Sequence, residues 1–207
     1  MYVPAHFAPD DAAVHELLTH PGAADLVTAT PVGLLSSTLP FSYDPDTGEH
    51  GTLLAHLARN NEQWRQPVLG EALVIVRGPD GYVSPSWYAS KSEHGRVVPT
   101  WNYVTAHVYG TVTVHDDPAW VEWMVRRLTA QHESERATPW SVDDAPSKFI
   151  AGQLRAIVGL ELTISRVEAK FKLSQNRPAA DIDGVVTGLE SDGDPATAAA
   201  VARYRPA

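Results

Sequence analysis

The stretch VTAHVYGTVTVH, residues 104–115, decides the fold class of this chain. Its even-numbered positions hold Val, Ala and Gly, whereas its odd-numbered positions hold Thr, His and Tyr. Successive side chains of a β-strand point to opposite faces, so this alternation predicts a strand with one apolar and one polar face. The apolar face is expected to meet a core. The polar face, which includes His107, carries groups that can line a pocket.

Other strand-like runs flank this stretch, and turn-forming residues separate them. The predicted strands cover residues 25–30, 33–41, 51–57, 72–77 and 158–165, with turns at 44–48 and 78–81. Helices are predicted over residues 10–20, from residue 117 onward and over 147–156, with a short helical turn at 58–66.

Short strands outnumber helices in this pattern, which is typical of an antiparallel barrel with helices packed outside it. The chain is therefore predicted to be mainly β with flanking helices. No repeat or linker divides residues 1–189, so this range is expected to form a single domain. Residues 190–207 are rich in Asp, Gly, Ala and Pro, and are expected to form a flexible or loosely packed tail.

The composition is that of a globular protein, because 43% of its 207 residues are hydrophobic and 20% are charged. No apolar run approaches the ~20 residues that a membrane span needs. The first residues resemble no signal peptide, so a cytoplasmic location is expected. There is no cysteine, which excludes disulfides and thiolate chemistry.

The formal net charge is −9, and the 16 Lys and Arg residues are scattered along the chain. Proteins that bind DNA usually carry a basic patch or stripe. Direct DNA binding is therefore not expected.

Four stretches are richer in Trp, Tyr, Asn, His and Pro than a core requires: residues 50–61, 82–91, 98–103 and 170–178. Together with residues 1–7, and in this order, they resemble the PaiB family of FMN-binding negative transcriptional regulators. The resemblance implies an antiparallel split β-barrel of the FMN-binding type, which works as a homodimer. Many family members have His in a Thr-His-Leu-Pro stretch, where this chain has Thr38 followed by Leu39 and Pro40.

Arg59 and Asn60 follow a predicted strand where a helical turn is expected to begin. Free backbone N–H groups at such a point and a guanidinium suit a phosphate or carboxylate. His56, on the strand just before, and His107 are candidates for contact with a cofactor, because a neutral imidazole binds iron well. The alternative for each is an ordinary structural role.

The aromatic side chains of the motifs can wall a flat ring, or can serve the core or a dimer interface. Asn102 and Gln175 can hydrogen-bond the edge of an isoalloxazine, and the polar cluster after the last strand suits an anion. The full set of candidate cofactor-binding residues is Thr38, Leu39, His56, Leu57, Ala58, Arg59, Asn60, Trp87, Lys91, Trp101, Asn102, Tyr103, His107, Lys172, Ser174, Gln175 and Arg177.

Three functions remain open from the sequence. The first is an FMN-binding protein, either a flavin-dependent oxidoreductase or a flavin-linked regulator that acts on a small molecule. The second is a heme b enzyme like the piperazate synthases, relatives that form an N–N bond from N-hydroxyornithine, with His56 as the iron ligand and His107 as a weaker candidate. The third is a non-enzymatic transcriptional regulator.

Overall fold

The structure, a computed structural model, describes residues 1–206, and its chain forms two compact units. We call Glu16–Val76 with His107–Val167 the sheet unit. We call Met1–His15, Arg77–Ala106 and the chain from Glu168 onward the terminal unit. Both units are built from separate segments, so no linker in the sequence marks where one ends.

One antiparallel sheet includes all seven strands of residues 1–206. The strand order is β2-β1-β5-β6-β7-β4-β3, with β2 and β3 at the two edges, so the sheet is not closed. The strands are β1 (Ala23–Thr30), β2 (Gly33–Pro40), β3 (Ser42–Asp44), β4 (Thr52–Ala58), β5 (Ala72–Val83), β6 (Thr100–His115) and β7 (Ile157–Lys172).

The strand expected over residues 104–115 lies within β6, which has strands on both sides. Ala106 and Val108 on its apolar face are fully buried, as the alternation predicts. Further along the same face, Val112 is half-buried and Val114 is 38% exposed. The apolar face therefore extends beyond the core that covers its first part.

Pairing between neighbours follows the predicted turns. β1 and β2 form a hairpin in which Thr30 lies opposite Gly33. β4 pairs with β7 along its whole length, which brings His56 opposite Gly159. These registers confirm the antiparallel sheet that the sequence predicts.

Residues 1–206 contain six α-helices: α1 (Asp11–Thr19), α2 (Ser90–His94), α3 (Pro118–Glu133), α4 (Ser147–Leu154), α5 (Ala179–Ser191) and α6 (Pro195–Arg203). α3 begins where the sequence predicts, and the Asp117 carboxylate accepts hydrogen bonds from the backbone N–H groups of Ala119 and Trp120. No helix in the described part of the chain is both long and apolar enough to cross a membrane.

Two segments of the terminal unit differ from the sequence expectation. The turn expected at residues 78–81 is wrong, because β5 continues through it to Val83. Gly81 serves close packing instead, since a Cβ there would lie 2.6 Å from the carboxylate of Asp194. The composition of residues 190–207 suggested a loose tail, yet α6 lies there, with Ala198 and Val201 buried.

Candidate functional site

The ends of β6 and β7 in the terminal unit hold the ammonium group of Lys172. Its Nζ donates hydrogen bonds to Thr100 Oγ1 and to the carbonyl oxygen of Trp101, both at 2.5 Å. Burial lowers the pKa of Lys172, and the positive charges of Lys170 and Arg177 lower it further. The lowered pKa means that this half-buried position disfavours the charged ammonium.

Lys170, Lys172 and Arg177 form what we call the cation cluster. Lys170 and Lys172 are two residues apart on β7, so they project from the same face of the strand. Within residues 1–206, none of the three forms an ion pair with a carboxylate. No carboxylate of the described residues therefore lies within salt-bridge distance of the cluster.

Aromatic rings contact two of the three cations, Lys170 and Arg177. Lys170 Nζ lies 5.7 Å from the ring centres of both Tyr2 and Tyr103. The guanidinium carbon of Arg177 lies 4.6 Å from the ring centre of Tyr88, a buried residue. Burial raises the pKa of Tyr88, so its phenol stays neutral across the physiological range. The faces of these rings attract the cations but carry no negative charge that would neutralise them.

The carboxylate of Asp181 is buried on α5 and binds a different group. It accepts a hydrogen bond from the Ser90 backbone N–H at 2.9 Å and another from the Ser90 hydroxyl at 2.7 Å. The terminal unit therefore uses its buried carboxylate to hold the start of α2.

The amide side chains proposed for the cofactor edge stabilise the chain after β7. Asn102 is fully buried, and its Nδ2 donates to Ser174 Oγ at 3.0 Å. Ser174 has a φ of 67°, a left-handed conformation that is uncommon outside glycine. Gln175 donates from Nε2 to the Phe171 carbonyl and accepts the Leu173 N–H, both at 2.7 Å. Together these bonds fix the turn that leads to Arg177.

The remaining candidates of the terminal unit have separate partners. Trp87 packs against α5, where Gly188 leaves room for its ring. Trp101 is 50% exposed and donates from Nε1 to Asp80 at 2.7 Å. Lys91 donates to Ser86 Oγ at 3.2 Å. Trp101 thus contacts Lys172 through its backbone carbonyl, while its exposed indole ring contacts Asp80.

Arg59, in the sheet unit, is almost fully engaged by protein groups. Its Nη1 and Nη2 donate to the two carboxylate oxygens of Asp116, at 3.1 and 2.5 Å, and its Nε donates to the Arg155 carbonyl at 2.7 Å. Nη2 also reaches the Ile157 carbonyl. This pairing raises the pKa of Arg59 and lowers that of Asp116.

The turn after Arg59 begins later than the sequence predicts. It is a single 3-10 turn over Glu62–Arg65, and Asn61 caps it by accepting the Gln63 N–H at 2.9 Å. Asn60 precedes the turn and is exposed. Arg59 and Asn60 therefore do not stand at the start of a helix.

His56 lies half-buried on β4, between the buried Leu57 and Ala55. Its Nδ1 is buried and has no hydrogen-bond partner within residues 1–206. Burial lowers the pKa of His56, so the neutral imidazole is favoured.

The other sheet-unit candidates differ in exposure. Leu39 is buried and Ala58 is exposed. The Thr38 hydroxyl donates to Asp25 Oδ1 at 2.6 Å, and His107 is half-buried on β6.

Lys170 was not among the predicted candidates, because the last strand was predicted to end at residue 165 and only the structure shows that Lys170 and Lys172 share a face of β7. It also gave no role to Gln63 and Trp64, because a polar residue in a short turn looks like an ordinary surface residue. Within the terminal unit the structure brings Lys172 to Trp101 and Asn102 to Ser174.

The open antiparallel sheet with outer helices is the split-barrel fold of flavin-binding proteins. It is similar to the flavocytochrome Anf3 from Azotobacter vinelandii, with a TM-score of 0.55 and 14% identity over 78% of this chain and 67% of that one. It is also similar to an FAD and heme binding protein from Mycobacterium smegmatis, with a TM-score of 0.53 and 16% identity over 86% of this chain and 78% of that one. At these identities the likeness shows the fold alone.

The family described as "Putative FMN-binding domain" matches residues 1–166, and the chain belongs to this family. The chain is also similar to PaiB of Bacillus subtilis, "Protease synthase and sporulation protein PAI 2". The two are 28% identical over 197 residues, which cover 94% of this chain and 92% of the relative. The PaiB resemblance of the sequence motifs is thereby confirmed.

Proposed function

We propose that this protein binds FMN and that the cation cluster holds the FMN phosphate. The single observation that carries the proposal is that the charges of Lys170 and Arg177 act on Lys172, while none of the three forms an ion pair with a carboxylate of the described residues. Membership of the FMN-binding family supports the identity of the anion. Arg59 is not proposed for this role, because Asp116 already neutralises it.

The donor set suits a phosphate ester. A lysine ammonium has three N–H donors, and Lys172 uses two of them on Thr100 and Trp101, so one remains for a phosphate oxygen. A phosphate carries up to two negative charges at neutral pH, which would offset the repulsion among the three cations. The exposed ring of Trp101, whose backbone carbonyl accepts from Lys172, can pack against a flat ligand.

When bound, FMN would supply the redox chemistry, and the residues of the cluster would bind and orient it. The function that follows is a flavin-linked one, either oxidation or reduction of a small molecule or a regulatory response to flavin. Nothing in the proposal requires contact with DNA.

The experiment compares FMN with riboflavin, which lacks the phosphate, by flavin fluorescence on the purified protein. A charge-assisted hydrogen bond contributes about 1.5–3 kcal/mol, so we expect FMN to bind at least ~10-fold more tightly than riboflavin. Lys172→Met and Arg177→Met should each remove most of that preference. Arg65→Met, which removes an exposed cation of the sheet unit, is the matched control and should leave it unchanged. Equal affinity for FMN and riboflavin in the unmodified protein would overturn the proposal.

Heme b is a second candidate, and the unpartnered Nδ1 of His56 favours it. A neutral imidazole is the form that binds iron, and burial of His56 favours that form. A reaction of the piperazate synthase type would belong with this cofactor. In a hemin titration, a Soret band that His56→Ala abolishes would support it, and no uptake of hemin would exclude it.

We also propose that the protein is a homodimer, because split-barrel sites usually draw residues from two subunits. The hairpin of β1 and β2 supports this, since Val32 is 69% and Leu34 is 76% exposed at its edge. Such apolar exposure at an edge strand favours association. Sedimentation velocity should give a dimer, and Leu34→Lys should shift it toward monomer; a monomer in the unmodified protein would contradict the proposal.

A further inference from the structure

The sheet unit has a pocket whose lining includes no residue of the cation cluster. Its volume is about 270 Å³, and its lining includes the side chains of Thr28, Gln63, Trp64, Val112 and Val114. No charged residue lines it. A neutral molecule of one or two rings fits such a lining better than an ion does.

One wall of the pocket is the part of β6 that leaves the core. Val112 and Val114 continue the apolar face of the strand, and both retain exposure that Ala106 and Val108 have lost. Apolar side chains on a central strand are normally covered. A ligand over these two residues would remove that surface from water.

A second wall is aromatic and held in place. The Trp64 indole Nε1 donates to the Arg59 carbonyl at 3.0 Å, which fixes the orientation of the ring. A planar ligand can stack on such a ring or meet its edge.

Gln63 adds a specific polar requirement. Only 5% of its surface is exposed. Three hydrogen-bond acceptors lie within 3.3 Å of its Nε2: Leu26 O, Thr28 Oγ1 and Leu35 O. These acceptors fix which end of the amide is the oxygen. Gln63 Oε1 has no hydrogen-bond partner within residues 1–206. A buried acceptor without a donor is uncommon and unfavourable.

We propose that this pocket binds a neutral, planar heteroaromatic molecule whose ring N–H donates to Gln63 Oε1. The ring lies against Trp64 and covers Val112 and Val114. The proposal does not rest on the flavin assignment.

A matched pair of probes tests the hydrogen bond without any change to the protein. Benzimidazole has a ring N–H, whereas 1-methylbenzimidazole has a methyl group in its place. Titrated against the full chain at pH 7.5 by calorimetry, benzimidazole should bind about tenfold more tightly. Equal affinities, or no binding of either compound at millimolar concentration, would overturn the proposal.

A matched pair of variants tests the location. Val114→Phe fills the pocket from its exposed side and should abolish benzimidazole binding. Val98→Phe makes the same change on an exposed residue of the terminal unit, outside the pocket, and should leave binding unchanged. Thermal melting checks that both variants fold. If FMN displaces benzimidazole, or if Val114→Phe binds it normally, the pocket is not a separate heteroaromatic site.

Discussion

The two units differ in how the positive charges of their motif residues are paired. In the sheet unit, the carboxylate of Asp116 neutralises Arg59. In the terminal unit, the carboxylate of Asp181 accepts hydrogen bonds from Ser90. The cation cluster forms no ion pair with a carboxylate of the described residues. An arginine in a motif is therefore not evidence of an anion site, whereas cations left without a carboxylate are.

The largest effect is expected from Asp181→Ala. This change leaves the buried N–H and hydroxyl of Ser90 without an acceptor, and each unsatisfied buried group costs about 1–3 kcal/mol. We expect the free energy of unfolding, measured in urea, to fall by about 2–4 kcal/mol. Asp183→Ala on the same helix, whose side chain is 63% exposed, should change it by less than about 0.5 kcal/mol.

One outcome would contradict this difference between the units. If Asp181→Ala left stability unchanged but altered the affinity for FMN, Asp181 would be a counter-charge of the cation cluster. Its hydrogen bonds to Ser90 would then be secondary.

The alternation at residues 104–115 was enough to predict β6, and with it the antiparallel sheet. The end of β7 was missed because the alternation changes phase: even positions are apolar up to Ile164, but odd positions are apolar from Val167 to Phe171. A change of phase reads as the end of a strand. Yet β7 continues to Lys172, and so carries two cations of the cluster.

The residues of the proposed site could be read from the sequence only in part. The motifs led to Lys172 and Arg177, because their residue types suit an anion. The partner of Arg59 could not be predicted, since Asp116 lies 57 residues away and only the fold brings the two together. The same holds for Gln63, whose unpartnered oxygen results from contacts with strands that precede it in the chain.

A smaller effect is expected on the pH dependence of FMN binding. The pKa of Lys172 is lowered in the free protein, and a bound phosphate would raise it again. Binding therefore takes up a proton above the lowered pKa, and affinity should fall as the pH rises through that range. Lys172→Arg keeps its charge, because the guanidinium pKa exceeds ~12.

Titrations of both proteins from pH 7 to 10 measure this difference. The FMN phosphate is fully ionised there, since its second pKa is about 6, and any ionisation of the flavin ring affects both proteins alike. We expect the unmodified protein to lose up to about tenfold more affinity than Lys172→Arg across this range. Parallel profiles would show that Lys172 does not contact the phosphate.

The smallest effect on ligand binding is expected from Asp116→Asn, which separates the two ways of holding a cation. The change removes the negative charge opposite Arg59 but leaves the bonds of Arg59 to the Arg155 and Ile157 carbonyls. Arg59 lowers the pKa of Asp116 in the folded protein. The pair therefore stabilises the fold fully above the pKa of an unfolded aspartate, about 3.9. This stabilisation is lost as the pH falls through the lowered pKa of Asp116 in the folded protein. The urea midpoint of Asp116→Asn should therefore lie below that of the unmodified protein at pH 7, and this difference in midpoint should disappear in acid.

The affinity of Asp116→Asn for FMN should stay within about twofold of that of the unmodified protein, because the Arg59–Asp116 pair is exposed and outside the cation cluster. A tighter binding of FMN by Asp116→Asn would instead mean that Arg59, once freed, also reaches the phosphate, and the contrast between the two units would then be one of degree.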